Sequence, residues 1–204
     1  MFRVVLPALL LFADTVSVRQ LKIPQKAREQ YENAQERLAR HDREGAREHL
    51  QRAVALAPEY ADAWNALGVI LGSEEHFRRA LQADAENADA AMNLGALLLR
   101  SGRAEEALGF SEAAARLVPR DASAQAQLGM NLYQVGRLGD AEVALLAARR
   151  LDSGQSTMPQ LFLAEIYARR GEKALALAQI EELLARAPAE ELAATLRRTR
   201  ERLR

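Results

Sequence analysis

The hydrophobic pattern of the chain repeats along its length. Aligning Gly68, Gly95 and Gly129 places a leucine directly before each glycine, in the segments WNALGVIL, AMNLGALLL and AQLGMNLY. The segments 88–121 and 122–155 follow one another and each has 34 residues. Within each segment, small and bulky apolar residues recur at the three-to-four-residue spacing of amphipathic helices. The pattern therefore predicts a series of similar helical units.

Glycine and proline divide each unit into two helices. Three glycines fall where the first helix of a unit must stop, and a left-handed cap there suits glycine, which has no Cβ. These are Gly102, Gly136 and Gly171. Prolines mark the ends of second helices, at Pro58, Pro119 and Pro188. One such helix pair cannot bury its apolar faces alone, so we expect the pairs to stack.

The repeated unit resembles a tetratricopeptide repeat. The copy that begins at Ala88 matches the family pattern at Leu94, Gly95, Leu98, Ala107, Ala114 and Pro119, with Ser111 where a bulky residue is usual. The copy that begins at Ala122 matches it at Leu128, Gly129, Leu132, Ala141, Leu145 and Ala148, with Ser153 in place of proline. The copies are 27–60, 61–87, 88–121, 122–155 and 157–190, within an array that spans 25–190.

The resemblance implies an all-α fold, a right-handed α-solenoid of antiparallel helix pairs. A further segment, 189–204, has leucines on one face and arginine and glutamate on the other. That pattern predicts a C-terminal capping helix, because the last pair of a solenoid needs a polar outer cover.

The second copy is shorter than the others. From Ala61 to Ala80 it has 20 residues, whereas 27 are expected, so seven residues are missing. Either residues 61–84 form one continuous helix, or a short hairpin turns at Gly72 and Ser73. We favour the hairpin, because Gly suits the position after a helix end and Ser suits an N-cap.

The resemblance also implies a partner-binding groove along the first helices of the pairs. The positions carried over are Arg28, Tyr31, Gln35, Leu38, Asp62, Asn65, Val69, Asp89, Met92, Ala96, Leu99, Arg100, Met130, Tyr133, Gln134, Met158, Leu161, Glu165 and Arg169. Five of them are expected to form an apolar strip: Met92, Leu99, Met130, Tyr133 and Leu161. Alternatively, neighbouring first helices bury these residues against one another.

Composition narrows the function to binding. The chain has 28 Lys and Arg and 28 Asp and Glu, so it lacks the basic excess typical of nucleic-acid binders. It has no Cys, three scattered His and no recognisable catalytic or phosphate-binding motif. We therefore expect a non-catalytic scaffold for a protein or peptide, with no cofactor, no metal and no nucleic acid. The alternatives are a single-stranded RNA-binding helical-repeat protein and an accessory module of a larger multidomain protein.

The N-terminal segment, residues 1–24, differs from the array. An apolar run from Val4 to Ala13 is too short to span a bilayer. It is compatible with the core of a signal peptide cleaved after Ala13, and equally with an apolar segment that packs on the first helices. An extended linker, TVSVRQLKIP, follows it. The sequence leaves cytoplasmic and exported locations equally open, and the oligomeric state as well.

Overall fold

The computed structural model describes residues 22–153, 155–186 and 188–204, and short connections join their helices. The helices are α1 (Gln25–Ala39), α2 (Arg43–Leu56), α3 (Ala61–Leu71), α4 (Glu74–Ala83), α5 (Ala88–Arg100), α6 (Ala104–Leu117), α7 (Ala122–Gln134), α8 (Leu138–Leu151), α9 (Met158–Arg169), α10 (Lys173–Ala185) and α11 (Glu190–Leu203). The described residues contain no strand, which confirms the all-α class. None of their helices combines the length and apolar character needed to cross a membrane. The question of a signal peptide falls on residues 1–21, outside the described part.

The chain divides into two compact units. One ends at Tyr60 and contains the pair α1 and α2. The other runs from Ala61 to Arg204 and contains α3 to α11. In this second unit the pairs are α3 with α4, α5 with α6, α7 with α8 and α9 with α10. Each pair also packs on the next, first helix against first helix, and α11 packs on α10.

The turns inside the pairs adopt the left-handed conformation predicted for glycine. Gly102, Gly136 and Gly171 have φ angles of 75°, 83° and 73°. In the first of these turns the Gly102 amide donates to the Leu99 carbonyl at 3.0 Å, and the Arg103 amide donates to the Leu98 carbonyl at 2.9 Å. These two bonds form a Schellman motif, which satisfies carbonyls that the helix end leaves unpaired.

The turn between α1 and α2 uses a different residue for the same purpose. His41 has a φ angle of 60° there, which is costly for a residue with a Cβ. We predict that His41→Gly raises the free energy of unfolding by about 0.5–1 kcal/mol, because glycine removes the steric strain. Urea denaturation followed by circular dichroism measures this change. His41→Ala is the control, since alanine keeps the Cβ and should give no gain. Equal effects of the two substitutions would contradict the prediction.

The shortened copy is a hairpin, and the continuous helix is excluded. Helix α3 ends at Leu71, Gly72 adopts a φ angle of 61°, and α4 begins at Glu74. Ser73 stands at the N-cap, but its hydroxyl lies 2.8 Å from Nδ1 of His76 and caps no backbone amide.

The deletion also changes the packing of the first helix. Leu71 stands at the position where the family pattern has a bulky residue between helices, yet it is 45% exposed. The equivalent residues of the next two copies, Leu98 and Leu132, are buried. The missing residues include the end of the first helix and the start of the second, so the surface that covers this position in complete copies is absent.

Small residues allow the two helices of a pair to approach closely. Ala46, Ala107, Ala141 and Ala176, one from each complete pair, are fully buried. Gly68 and Gly129 lie against the side chains of Phe77 and Leu145 in the second helix of the same pair. The repeated spacing of small residues therefore allows bulky side chains of one helix to pack directly on the backbone of the other.

The C-terminal end of the array is covered by α11. Its Leu196 packs in one apolar cluster with Ile180 and Leu183 of α10. Beside this cluster, Arg200 and Arg204 approach Glu181 of α10 at 3.5 and 3.6 Å. The exposed residues of the same stretch are charged: Arg197, Arg198, Glu201 and Arg202. The helix thus has the apolar inner face and charged outer face that the sequence pattern indicates.

Candidate functional site

The surface formed by α3, α5, α7 and α9 is called the first-helix face. Of the positions predicted to bind a partner there, the exposed ones are Val69, Asp89, Arg100, Gln134, Met158, Glu165 and Arg169. The partly buried ones are Asp62, Asn65, Met92, Ala96, Leu99, Met130 and Leu161. Tyr133 is buried. The predicted positions therefore divide between free surface and contacts within the fold.

The N-terminal unit carries the remaining predicted positions. Arg28 and Gln35 of α1 are exposed. Tyr31 is partly buried, and its ring centroid lies 5.1 Å from that of Tyr60. Leu38 is partly buried as well. In this unit the two polar positions are the accessible ones.

Two predicted polar positions join neighbouring first helices. The Asn87 amide donates to Oδ1 of Asp62 at 2.9 Å, and the Asn93 amide donates to Oδ1 of Asn65 at 2.9 Å. The Asn87 side chain also accepts a bond from the Ala90 amide at 2.8 Å, so it caps α5. These bonds hold α3 and α5 in register, and a partner would have to compete with them.

Tyr133 is part of the interior rather than of an apolar strip. It is 7% exposed, and its ring meets the Phe162 ring edge-on with centroids 5.1 Å apart. The Arg169 guanidinium lies 4.5 Å from its ring centroid and bonds to Glu165 at 3.2 Å. Burial raises the pKa of the Tyr133 phenol. Leu99 and Leu161 also pack against core clusters, so the predicted strip is not continuous.

A cleft remains open between α7 and the start of α9. It has a volume of about 330 Å³, and Met130 and Met158 form its apolar walls. Met158 is 45% exposed. Gln127 also lines the cleft, and its amide is held by the Met92 carbonyl at 3.0 Å. Methionine side chains adapt to varied apolar partners, and here they stand beside a fixed polar edge.

Polar and charged side chains connect neighbouring pairs. Arg103, at the start of α6, donates to Glu74 of α4 at 2.6 Å and is also held by Glu106 of α6 at 2.6 Å. Glu142 of α8 accepts from the Tyr167 hydroxyl of α9 at 2.9 Å, and burial together with this bond raises the pKa of Tyr167 to about 12. The Arg103–Glu74 and Tyr167–Glu142 links reach from one pair to the next, so they support the stacking of the pairs.

Metal-ligating side chains do not cluster in the described part of the chain. No three His, Asp or Glu side chains in that part come together as a metal site. His49 contacts the Gln30 side chain at 2.8 Å, and His76 contacts Ser73 at the same distance. These two histidines therefore have structural partners.

A second hollow lies between α8 and α10, and sequence reasoning missed it. It has a volume of about 600 Å³ and is lined in part by Val143, Leu146, Arg149, Arg150 and Arg186. Val143 is 70% exposed. The signal in the sequence that could have indicated this hollow is Val143, an apolar residue at an outward-facing position of the second helix α8.

Comparisons with known proteins agree with this architecture. A family model described as tetratricopeptide repeat (TPR) matches residues 31–71, 72–122 and 126–191. A search of curated proteins found no match.

Several solved structures have a similar fold. MamA (41-end) from Desulfovibrio magneticus RS-1 is 21% identical with a TM-score of 0.69, covering 80% of this chain and 96% of that one. YrrB, a TPR protein with an unusual peptide-binding site, is 23% identical with a TM-score of 0.71, covering 84% of this chain and 92% of that one. PilF of Pseudomonas aeruginosa is 25% identical with a TM-score of 0.69, covering 80% and 77%.

Proposed function

Because the chain belongs to the tetratricopeptide repeat family, we propose that it is a non-catalytic scaffold that binds a peptide or an extended protein segment. The fold is one typical of protein–protein interaction scaffolds. We place the binding site on the first-helix face, at the cleft between α7 and α9.

The observation that carries this proposal is the exposed apolar lining of the cleft. Met130 and Met158 line a space of about 330 Å³, which has room for one or two side chains of a partner. The Asp152 carboxylate lines the edge of this space, and Glu165 and Arg169 add charge of both signs further along α9. An apolar cleft rimmed by charge is typical of a peptide-binding surface. The similarity to YrrB, a TPR protein with a peptide-binding site, supports the same interpretation.

The charges on the first-helix face favour a protein partner over RNA. Arg100 and Arg169 are accompanied there by Asp62, Asp89 and Glu165. Arg169 is already paired with Glu165 at 3.2 Å. A site that follows a nucleic-acid backbone needs a surplus of cations to neutralise phosphates, and this face has none.

A charge introduced into the cleft is expected to weaken partner binding. We predict that Met158→Glu reduces the amount of partner recovered by affinity capture from the native cell at least tenfold. The reason is that a carboxylate must lose its hydration when a partner covers the cleft, and tenfold corresponds to about 1.4 kcal/mol. Quantitative mass spectrometry of the captured proteins, with the full chain as bait, measures the change.

The matched control is Leu175→Glu. Leu175 is 49% exposed, similar to Met158, but it belongs to the second helix α10. This variant should recover the same partners as the unmodified chain. If Met158→Glu leaves recovery unchanged while circular dichroism shows both variants folded, the cleft is not the binding site. Equal losses in both variants would also contradict the assignment, because the effect would not depend on the first-helix face.

A further inference from the structure

The hollow between α8 and α10 combines an apolar edge with arginines. Val143 and Leu146 form the apolar edge on α8. On the other side of α8 lies a smaller hollow of about 290 Å³. Its apolar lining includes Leu128, Leu132 and again Val143. Val143 is thus shared by two adjoining hollows. We call this pair of hollows, one on each side of Val143, the track; a segment of chain that crosses α8 would contact both hollows.

A hydrogen-bond network fixes the charged groups in the larger hollow. Arg149 donates to Glu182 Oε2 at 2.5 Å and to the Gln179 side chain at 3.2 Å. The fully buried Gln160 donates to Glu182 Oε1 at 2.7 Å and accepts from Arg186 at 3.1 Å. Both oxygens of the Glu182 carboxylate are therefore already engaged within the fold.

The larger hollow has an excess of positive charge. Its lining includes Arg149, Arg150 and Arg186, and one carboxylate, that of Glu182. The charged groups of the lining thus sum to a net charge of plus two. Arg150 makes no ion pair among the described residues. Arg149 and Arg186 are held in place by hydrogen bonds, and guanidinium groups fixed in this way bind carboxylates with little loss of conformational entropy. Arg150 is exposed and adds a charge that no carboxylate of the described residues neutralises.

The smaller hollow is lined by one arginine and two carboxylates, so its charged groups sum to minus one. Arg137 pairs there with Glu112 at 3.2 Å and with Asp140 at 2.7 Å. The complementary charges of a partner would therefore lie at the C-terminal ends of α8 and α10, beside Arg150 and Arg186, and its apolar residues would lie over Val143 and Leu146. This arrangement defines which residue types the segment needs: acidic side chains at one end and an apolar side chain at the other.

We propose that this track is a second docking surface, which binds an acidic segment of another protein. An apolar side chain of the segment lies over Val143 and Leu146, and Asp or Glu side chains a few residues away pair with Arg150 and Arg186. The surface belongs to second helices, whereas the cleft of the proposed function belongs to first helices. The scaffold can therefore hold two segments at once.

The test is a selection from a random 12-residue peptide library displayed on phage, with the full chain as target. We expect the enriched peptides to carry Asp or Glu within a few residues of Leu, Ile or Phe. Synthetic copies, measured by fluorescence anisotropy, should bind at least tenfold more weakly to Arg150→Glu and to Val143→Asp than to the unmodified chain. Their affinity should also fall as NaCl is raised, because ion pairs are screened.

The matched control is Arg116→Glu. Arg116 is exposed on α6 at the position equivalent to Arg150 in the preceding copy, and it does not line the hollow. Binding of the acidic peptides should be the same for this variant and for Met158→Glu. This second comparison separates the two surfaces, since Met158→Glu alone tests the proposed function.

Three outcomes would overturn the proposal. The first is that no peptide is enriched, or that the enriched peptides lack acidic residues. The second is that their binding is lost in Met158→Glu and kept in Arg150→Glu, which would place them in the first-helix cleft. The third is that sedimentation equilibrium shows a dimer that Val143→Asp dissociates, because a second copy of the chain would then occupy the track.

Discussion

Replacing Gly68 with alanine is expected to lower the free energy of unfolding by about 1–3 kcal/mol, the usual cost of overpacking a core. A Cβ at this position would lie 2.5 Å from both Cδ1 and Cε1 of Phe77. Phe77 is 3% exposed and packs with Leu94 and Leu98 of the next pair. Its ring therefore cannot move aside without disturbing that neighbour. Urea denaturation followed at 222 nm measures the change.

Gly109→Ala provides the matched control for this substitution. Gly109 also lies inside a helix, but a Cβ there would meet no atom within 4 Å. Its replacement should raise stability by roughly 0.5–1 kcal/mol through helix propensity alone. Combining Gly68→Ala with Phe77→Leu should cost less than the sum of the two single changes, because the smaller side chain leaves the contact. If Gly68→Ala raises the free energy of unfolding as Gly109→Ala does, then α3 does not pack on α4 as closely as the structure indicates.

The turns of the fold could be predicted because they depend on local chemistry. A left-handed residue after the first helix favours glycine for steric reasons, so Gly102, Gly136 and Gly171 identify the turns directly. The same logic identified Gly72 as the turn of the shortened copy. His41 takes this conformation without being glycine, and no sequence rule singles it out.

The accessibility of individual residues could not be predicted in the same way. Leu71 matches the family pattern, but it is exposed because the helix that would cover it is shortened. Tyr133 matches a groove position, but Phe162 of the following copy covers its ring. In both cases the environment depends on a neighbouring copy, and an aligned position says nothing about how complete that neighbour is.

The candidate surfaces show a similar division. The predicted partner-binding positions on the first helices followed from the repeat pattern. Whether each of them is accessible depends on pairings such as that of Asn93 with Asn65, 28 residues apart. The hollow at α8 depends on Arg149 and Glu182, 33 residues apart. Such pairs follow the period of the repeat only approximately. A search for complementary charges at nearly this separation would have found them, but it would not have shown the hollow beside them.

The largest loss of stability is expected for Leu145→Ala, at about 2–5 kcal/mol. Leu145 is fully buried and belongs to the same apolar cluster as Leu132, Leu163 and Ile166, which come from the two adjacent first helices. Truncation leaves a cavity where three helices meet, so both the pairing and the stacking of this part are weakened. Val143→Ala is the control on the same helix, since Val143 is 70% exposed and its truncation should change stability by less than about 0.5 kcal/mol.

A second substitution in the same contact tests whether the loss arises from this packing. A Cβ on Gly129 would lie 2.6 Å from Cγ of Leu145, so Gly129→Ala should be destabilising in the unmodified chain. In the Leu145→Ala background the clashing Cγ and Cδ2 atoms are gone, the Ala141 carbonyl oxygen at 3.2 Å is the one close atom left among the three nearest, and the added methyl fills part of the cavity. There Gly129→Ala should be neutral or stabilising, because helix propensity also favours alanine. Strictly additive effects in urea denaturation would mean that the two residues do not share a contact, and the repeat-by-repeat packing of α7 on α8 would have to be revised.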